Sequence, residues 1–194
     1  MVHKFDPARM GSLTSERRQQ AVKPLDLLQR AGLQAGDRVL DLGCGAGFFT
    51  VPAARLVGPQ GNVTAVDVQA AMVAATQDRT HQEGLSNVVV LAAGEYALPP
   101  GLPAFDWIIL AYVLHEVAEP GRLLELALKA LKPDGRLLLI EWPKEDGPHG
   151  PPAHERLAPE ELAAFYQPLN LQEVNFWEGG PEYYALVLTR RDSL

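Results

Sequence analysis

Short apolar segments alternate along most of the chain with longer segments of helical periodicity. The apolar segments, such as VVVLA, WIILA and RLLLI, are unbroken and are bounded by Gly, Pro or Asp. Unbroken apolar strands are typical of a parallel sheet with helices on both faces, so the pattern predicts a doubly wound α/β fold. The predicted core strands are Arg38–Leu42, Val63–Asp67, Asn87–Ala92, Asp106–Ala111 and Gly135–Glu141.

Helical spacing also predicts a long N-terminal helix over Ser15–Ala31, which Pro24 splits or kinks and Gly32 ends. The other predicted helices are Phe48–Val57, Ala70–Glu83, Pro120–Leu131 and Pro159–Tyr166. Two further strands, Leu171–Trp177 and Tyr183–Thr189, are separated only by EGGPE, which is a hairpin-length connection. We expect them to form an antiparallel pair that closes one edge of the sheet.

The length of 194 residues favours a single core. We therefore expect one domain over residues 1–194, with an N-terminal helical cap over 1–34 and a Gly/Pro-rich loop over 143–158. No apolar run is long enough to cross a membrane, and the N-terminus lacks the pattern of a secretory signal, so we expect a cytoplasmic protein.

Charge and cysteine content exclude several kinds of site. The formal net charge of −7 disfavours a nucleic-acid partner, and the basic pairs Arg17–Arg18 and Arg190–Arg191 are interpreted as solvated surface. Cys44 is the one cysteine of the chain, which rules out a disulfide within the chain and any site built from several thiolates.

The sequence VLDLGCGAGFFT follows the first predicted strand and places Gly43, Gly45 and Gly47 at a strand-to-helix turn. Glycines there let a ligand approach the backbone, and the next helix offers free N–H groups to an anion. A dinucleotide fingerprint requires a small residue where Phe48 stands. A turn with glycines needed only for packing is the other interpretation.

Two acidic residues at strand ends indicate which ligand fits. Asp41 would repel a pyrophosphate, by about 4 kcal/mol per charge pair at about 4 Å in an effective dielectric near ~20. It would instead attract the sulfonium and ammonium groups of S-adenosylmethionine. Asp67 ends the next strand and is placed to accept the ribose hydroxyls, although capping the following helix is an alternative that can coexist.

In order along the chain, DLGCGAG, Asp67, FDWIILAYVLHEV and LKPDGRLLLIEW resemble the motifs of class I SAM-dependent methyltransferases. Within that family the chain is most similar to ubiquinone and menaquinone biosynthesis C-methyltransferases. The resemblance covers roughly Asp37–Trp142. It implies a Rossmann-like, seven-stranded, mostly parallel sheet with an antiparallel final strand. It also implies S-adenosylmethionine as cofactor, with S-adenosylhomocysteine as product.

The resemblance also implies roles for individual residues around the cofactor. The turn would enclose the methionine end, Asp67 would hold the ribose and Val68 would pack on adenine. Gly94 stands where the family usually has an adenine-binding acid, so Glu95 or Tyr96 is the substitute. The full set of expected cofactor residues is Asp41, Gly43, Cys44, Gly45, Gly47, Asp67, Val68, Gly94, Glu95, Tyr96 and Ala111. Metal-dependent relatives have an Asp near Ala111, and we predict no metal.

Three residues just after the fourth strand are candidates for catalysis. His115 titrates near neutrality and suits proton abstraction, with a packed structural histidine as the equal alternative. Glu116 is either a participant or a surface charge, and Tyr112 either reacts or lines the cofactor pocket. Methyl transfer needs a base only when the acceptor carries a proton, because the protein mainly aligns the acceptor with the S–CH3 bond.

Two loops are expected to border the same site. After the fifth strand, Glu141, Trp142 and Lys144 lead into the loop over 143–158, which is interpreted as a lid or an acceptor wall. In this loop Arg156 is a possible anion contact, and the spacing of His149 and His154 does not suit a metal pair. The segment His3–Met10 is expected to fold over the cofactor in a similar way.

The resulting hypothesis is a SAM-dependent methyltransferase with a small-molecule acceptor. The alternatives are a SAM-binding sensor or partner subunit that does not methylate, and an NAD(P)-dependent oxidoreductase. Aromatic residues near the C-terminal hairpin form either a homodimer face or part of the core. They are Phe176, Trp177, Tyr183 and Tyr184.

Overall fold

Seven strands form one sheet in the spatial order β3-β2-β1-β4-β5-β7-β6 in the computed structural model, which describes residues 5–191. The strands β1 to β5 are parallel to one another, and β7 runs antiparallel to both β5 and β6. This topology confirms the predicted fold. The strands are β1 (Arg38–Leu42), β2 (Asn62–Asp67), β3 (Val88–Ala92), β4 (Phe105–Ala111), β5 (Leu131–Glu141), β6 (Leu171–Glu178) and β7 (Tyr184–Arg190).

The described part of the chain also contains six α-helices. They are α1 (Glu16–Val22), α2 (Pro24–Ala31), α3 (Thr50–Val57), α4 (Ala70–Gln82), α5 (Pro120–Ala130) and α6 (Pro159–Tyr166). The predicted N-terminal helix is divided at Lys23, which has a φ of 48°, because Pro24 lacks the N–H that would continue α1. Gly32 ends α2 with a φ of 106°.

Alternate residues of each central strand face two separate cores. In β1, Val39 packs with the core formed by α1, α2 and α3, whereas Leu40 packs with the core formed by α5 and α6. The same alternation separates Leu138 from Leu139 in β5. Because both faces are covered, the strands are apolar throughout, which is the physical basis of the unbroken pattern in the sequence.

The fifth strand begins earlier than predicted. Helix α5 ends at Ala130 and β5 starts at Leu131, where Leu131 pairs with Phe105 before the register shifts and Arg136 pairs with Trp107. The strand therefore includes the KPDG segment as an irregularity. Leu131 is buried and anchors this early start, so its apolar side chain belongs to the sheet and not to the helix.

Three of the four aromatic residues near the C-terminal hairpin belong to the core. Trp177, Tyr183 and Tyr184 are buried, and Phe176 is the one of the four aromatic residues that is exposed, at 41%. The strand β7 fills the gap between β5 and β6, so its side chains have neighbours on both sides. No helix in the described range is long and apolar enough to span a membrane.

We predict that Gly135→Ala lowers the free energy of unfolding by about 1–3 kcal/mol, because overpacking a filled site is destabilising. A Cβ at Gly135 would lie 2.7 Å from the side chain of Leu131 and 3.0 Å from the carbonyl oxygen of Phe105. Urea unfolding would measure the change. The matched control is Gly121→Ala in α5, where no atom lies within 4 Å of the added Cβ. Equal effects of the two substitutions would contradict the packing described for β5.

Candidate active site

A cavity of about 540 Å³ lies at the carboxyl-terminal ends of β1, β2 and β4. This is the position where open α/β sheets bind ligands. The N-terminal segment and the loop after β5 supply the remaining walls. Their lining residues are Phe5, Asp6, Ser12, Leu13, Arg17, Arg18, Pro148, His149, Gly150, Pro151, Pro152 and Glu155.

The N-terminal segment is fixed to the cavity by two hydrogen bonds. The backbone N–H of Phe5 donates to Oε2 of Glu116 at 3.2 Å, and the side chain of Gln69 donates to the carbonyl of Phe5 at 3.1 Å. Of the segment expected to cover the ligand, Phe5 and Asp6 line the cavity, whereas His3 and Lys4 lie outside the described residues.

Most of the residues selected from the sequence meet at this cavity. Those that line it are Asp41, Gly43, Cys44, Gly45, Asp67, Val68, Gly94, Glu95, Ala111, Tyr112, His115 and Glu116. Gly47 and Tyr96 are not among the lining residues. A Cβ on Gly47 would lie 3.2 Å from Thr76, so this glycine serves the contact between the turn and α4. The hydroxyl of Tyr96 accepts from the backbone of Glu119 at 3.0 Å.

The glycine turn has a backbone that other residues rarely adopt. Gly43, Gly45 and Gly47 have φ values of 83°, 53° and 74°. At Gly43 a Cβ would also lie 2.6 Å from the side chain of Val113. Four amides of this turn are less available to an anionic ligand than the sequence suggested. Those of Gly43 and Cys44 donate to Val66, that of Gly45 donates to Asp67, and that of Gly47 donates to Cys44.

Asp41 is a buried acid at the base of the turn. Its side chain accepts a hydrogen bond of 2.5 Å from the hydroxyl of Thr50. Burial raises the pKa of Asp41 to about 7, and the nearby carboxylate of Asp67 adds to the rise, while the bond from Thr50 opposes it. A positive group placed beside Asp41 would lower this pKa and favour the ionised form.

Asp67 is not the N-cap of α4, which is Gln69, but its carboxylate is held by two backbone N–H groups. Its Oδ1 accepts from the backbone of Gln69, the N-cap residue of α4, at 2.9 Å. Its Oδ2 accepts from the backbone of Gly45, also at 2.9 Å. The carboxylate therefore joins β2, α4 and the glycine turn while it lines the cavity. Each carboxylate oxygen retains a lone pair for a ligand hydroxyl.

His115 and Glu141 form a buried pair. The Nδ1 atom of His115 lies 2.6 Å from Oε2 of Glu141, and the exposed fractions of the two side chains are 5% and 1%. The other oxygen of Glu141 accepts from the backbone of Leu114 at 2.9 Å. Glu141 therefore fixes both the ring and the short helical turn that carries it. The Nε2 atom of His115 has no such partner and lies 3.8 Å from Glu116.

The electrostatics of this pair make the imidazole more basic than an ordinary histidine. Burial alone lowers the pKa of His115, but the adjacent carboxylate of Glu141 outweighs burial, and the net shift is upward. Burial raises the pKa of Glu116, whose carboxylate also accepts the bond from Phe5. The pair thus has the form of a general base held in one orientation by a carboxylate.

Tyr112 is built into the wall. Its hydroxyl donates to the carbonyl of Glu182 at 3.1 Å, and burial raises its pKa. Its ring lies 4.9 Å from the ring of Trp142, centroid to centroid. These contacts leave Tyr112 as part of an aromatic surface next to His115. Cys44 is buried in the turn, and burial raises the pKa of its thiol, which does not favour a reactive cysteine.

The sequence suggested that Arg156 contacts an anion. In the structure Arg156 instead supports the loop over 143–158. Its guanidinium donates to four backbone carbonyls of that loop at 2.7–2.9 Å. Gly150 lies against Trp142, where an added Cβ would approach within 2.8 Å. Lys144 also leaves the site and pairs with Glu161 at 2.5 Å. The loop is therefore a shaped wall that depends on Arg156.

The interpretation of Arg17 and Arg18 as solvated surface is wrong for Arg18, which is 7% exposed and lines the cavity. Arg18 lies four residues before Val22, and both are buried, because positions i and i+4 share one face of a helix. That spacing was the signal in the sequence. His154 is not among the residues that line the cavity, and the described residues contain no group of three or more His, Cys, Asp or Glu arranged to hold a metal.

The model of a family described as a methyltransferase domain matches residues 33–164. This range covers more than half of the chain and contains the glycine turn, Asp67, His115 and Glu141. The chain therefore belongs to this methyltransferase domain family.

Individual relatives agree with this assignment. The chain is similar to a SAM-dependent methyltransferase from Aquifex aeolicus, with 34% identity, 95% of this chain and 98% of that chain covered, and a TM-score of 0.89. The ubiquinone/menaquinone biosynthesis C-methyltransferase UbiE of Marinomonas sp. (strain MWYL1) is 35% identical over 120 residues, which are 61% of this chain and 48% of that protein. The match therefore spans about half of the UbiE length.

A third comparison shows a similar fold in a protein that is named for a different activity. The [4+2]-cyclase SpnF is 22% identical, with a TM-score of 0.73 over 88% of this chain and 81% of that chain. A similarity at this level shows the fold, and fold does not determine chemistry. The function of this chain must therefore be argued from its own site.

We predict that the pKa of His115 lies above the ordinary value of about 6.5 and falls in Glu141→Gln, because that substitution removes the charge that stabilises the imidazolium. NMR titration of the imidazole would measure both values. Glu119→Gln is the matched control, since Glu119 has an exposed side chain paired with Arg122. A pKa of His115 that is the same in the wild type and in Glu141→Gln would contradict the pairing.

Proposed function

We propose that this chain transfers a methyl group from S-adenosylmethionine to a small-molecule acceptor from which His115 removes a proton. The observation that carries the proposal is that the His115–Glu141 pair opens onto the same cavity as the glycine turn. One compartment thus contains a candidate cofactor cradle and a candidate base. Membership of the methyltransferase domain family supports the same reaction class.

The residues present suit this cofactor. The cavity of about 540 Å³ is within the range of about 300–1,000 Å³ that is usual for small-molecule sites. Asp41 would face the positive methionine end, and Asp67 would accept from the ribose. Val68, Gly94 and Glu95 line the part of the cavity assigned to adenine. When bound, S-adenosylmethionine supplies a methyl group that a sulfonium makes electrophilic.

The chain itself contributes orientation, proton transfer and exclusion of water. His115 accepts the acceptor's proton at Nε2, and Glu141 stabilises the resulting imidazolium through Nδ1. The N-terminal segment and the loop supported by Arg156 border the cavity and limit its contact with solvent. Alignment of reacting groups in such a site is worth about 7–11 kcal/mol of barrier, so no nucleophilic side chain is required.

The acceptor should carry an ionisable proton, as a phenol or an activated carbon acid does, because only such a group makes use of a base. The aromatic surface of Tyr112 and Trp142 would contact a planar acceptor. Related UbiE proteins are named as C-methyltransferases of quinone biosynthesis, which fits an acceptor of this class. A cytoplasmic location and a homodimer remain predictions.

We predict that S-adenosylhomocysteine raises the melting temperature of the purified chain and that NAD(P) does not. At 100 times its Kd, a ligand adds about 2.7 kcal/mol to stability.

We also expect transfer of labelled methyl from S-adenosylmethionine to a phenolic or carbon-acid metabolite pool. His115→Asn should lower this rate by about 10²- to 10⁴-fold, the usual contribution of a general base.

Binding of S-adenosylhomocysteine by His115→Asn is the control, and we expect it to match the wild type. Stabilisation without any methyl transfer would indicate a sensor or partner subunit. Stabilisation by NAD(P) alone would indicate an oxidoreductase and overturn the proposal. Unchanged methyl transfer by His115→Asn would remove the base from the mechanism but not the enzyme class.

A further inference from the structure

Arg18 places a buried guanidinium at the wall of the cavity. The residue is 7% exposed, and its group lies 4.7 Å from the ring centroid of Phe48 and 4.6 Å from that of Tyr112. Its Nη1 atom donates to the carbonyl of Leu13 at 3.3 Å, and the guanidinium also has a side-chain hydrogen bond with Tyr112. Its Nε atom is buried without a hydrogen-bond partner. A guanidinium has five N–H donors, so much of its capacity is unused.

No carboxylate of the described residues lies within ion-pair distance of Arg18, although its neighbour Arg17 pairs with Glu182 at 2.8 Å. Burial accordingly lowers the pKa of Arg18. A buried charge is costly, and the groups that offset the burial of Arg18 within the protein are the Tyr112 side chain and the carboxylate of Glu182, which lies beyond ion-pair distance. The planar guanidinium matches a carboxylate, which it can bind through two parallel hydrogen bonds.

The position of Arg18 indicates which part of a ligand would reach it. It lies between Phe48, which directly follows the glycine turn, and Tyr112, which directly follows β4. In the cofactor arrangement proposed above, this is the methionine side of the cavity, whereas Val68 and Gly94 are assigned to adenine. The amides of Gly43, Cys44, Gly45 and Gly47 already have acceptors within the protein. These amides are therefore not available to hold an anionic head group.

An amino acid head group carries one charge of each sign. Asp41 supplies a negative partner at the base of the turn, and Arg18 supplies a positive one at its far side. We propose that Arg18 binds the α-carboxylate of the cofactor's methionine moiety. This inference rests on the proposed function and adds the residue that recognises the head group. The competing source of a carboxylate is the methyl acceptor, and the test separates the two.

The test measures the affinity of two ligands by isothermal titration calorimetry. One is S-adenosylhomocysteine, and the other is its decarboxylated analogue, S-adenosyl-3-thiopropylamine. In Arg18→Met, the Kd for S-adenosylhomocysteine should rise about 10- to 100-fold, in line with a buried hydrogen bond to a charged group. The Kd for the decarboxylated analogue should change by less than about twofold, since it has no carboxylate to lose. Arg18→Lys keeps the positive charge but lacks the planar pair of N–H donors, so it should give an intermediate loss of affinity for S-adenosylhomocysteine.

Arg30→Met is the matched control, because Arg30 also stacks on a ring, that of Trp177 at 5.0 Å, but does not line the cavity. It should leave both affinities unchanged. Equal losses for the two ligands in Arg18→Met would mean that Arg18 only supports the fold and would overturn the inference. Unchanged affinity for S-adenosylhomocysteine would also overturn it and would leave the acceptor as the source of the carboxylate. Failure of the wild type to bind S-adenosylhomocysteine would defeat the proposed function as well.

Discussion

The burial of one carboxyl group at the base of the glycine turn is the constraint on which this site depends. Asp41 is 2% exposed, and burial raises its pKa to about 7. A site of this kind is stable with the acid neutral, or with the acid ionised beside a positive ligand. The glycine turn above Asp41 leaves room for such a ligand, while the amides of Gly43, Cys44, Gly45 and Gly47 donate within the protein. Together these features select a cationic head group and disfavour a diphosphate.

The sheet explains why the candidate base lies in the same cavity. Strands β4 and β5 are neighbours, and Ala111 pairs with Ile140 near their carboxyl ends. The chain therefore places His115, which follows β4, beside Glu141, the last residue of β5. Their contact crosses 26 positions of sequence, yet it requires only that two parallel strands end at the same level. Burial opposes protonation of the imidazole, but the charge and the hydrogen bond of Glu141, with smaller contributions from Glu116 and Glu155, raise the pKa of His115 overall.

Strand periodicity predicted the sheet. The positions where strands end predicted the glycine turn and the meeting of Asp41, Asp67 and His115 at one edge of that sheet. The sequence did not predict contacts that depend on how loops and short helices pack. Arg156 was interpreted as a ligand contact because the sequence of the loop over 143–158 does not show that four of the loop's backbone carbonyls converge on this side chain. Arg18 was interpreted as surface because its neighbour is a charged residue, although its spacing to Val22 placed it on the buried face. Tyr96 likewise turned towards the backbone of Glu119.

The most direct test of the central claim is the number of protons exchanged when S-adenosylhomocysteine binds at about pH 6.5, where Asp41 is largely protonated in the free protein. Calorimetry in buffers of different ionisation enthalpy measures this number. If the ligand's ammonium group ionises Asp41, the wild type releases protons on binding, and Asp41→Asn releases fewer. Equal proton release by the two proteins would show that Asp41 does not respond to the ligand and would contradict this account.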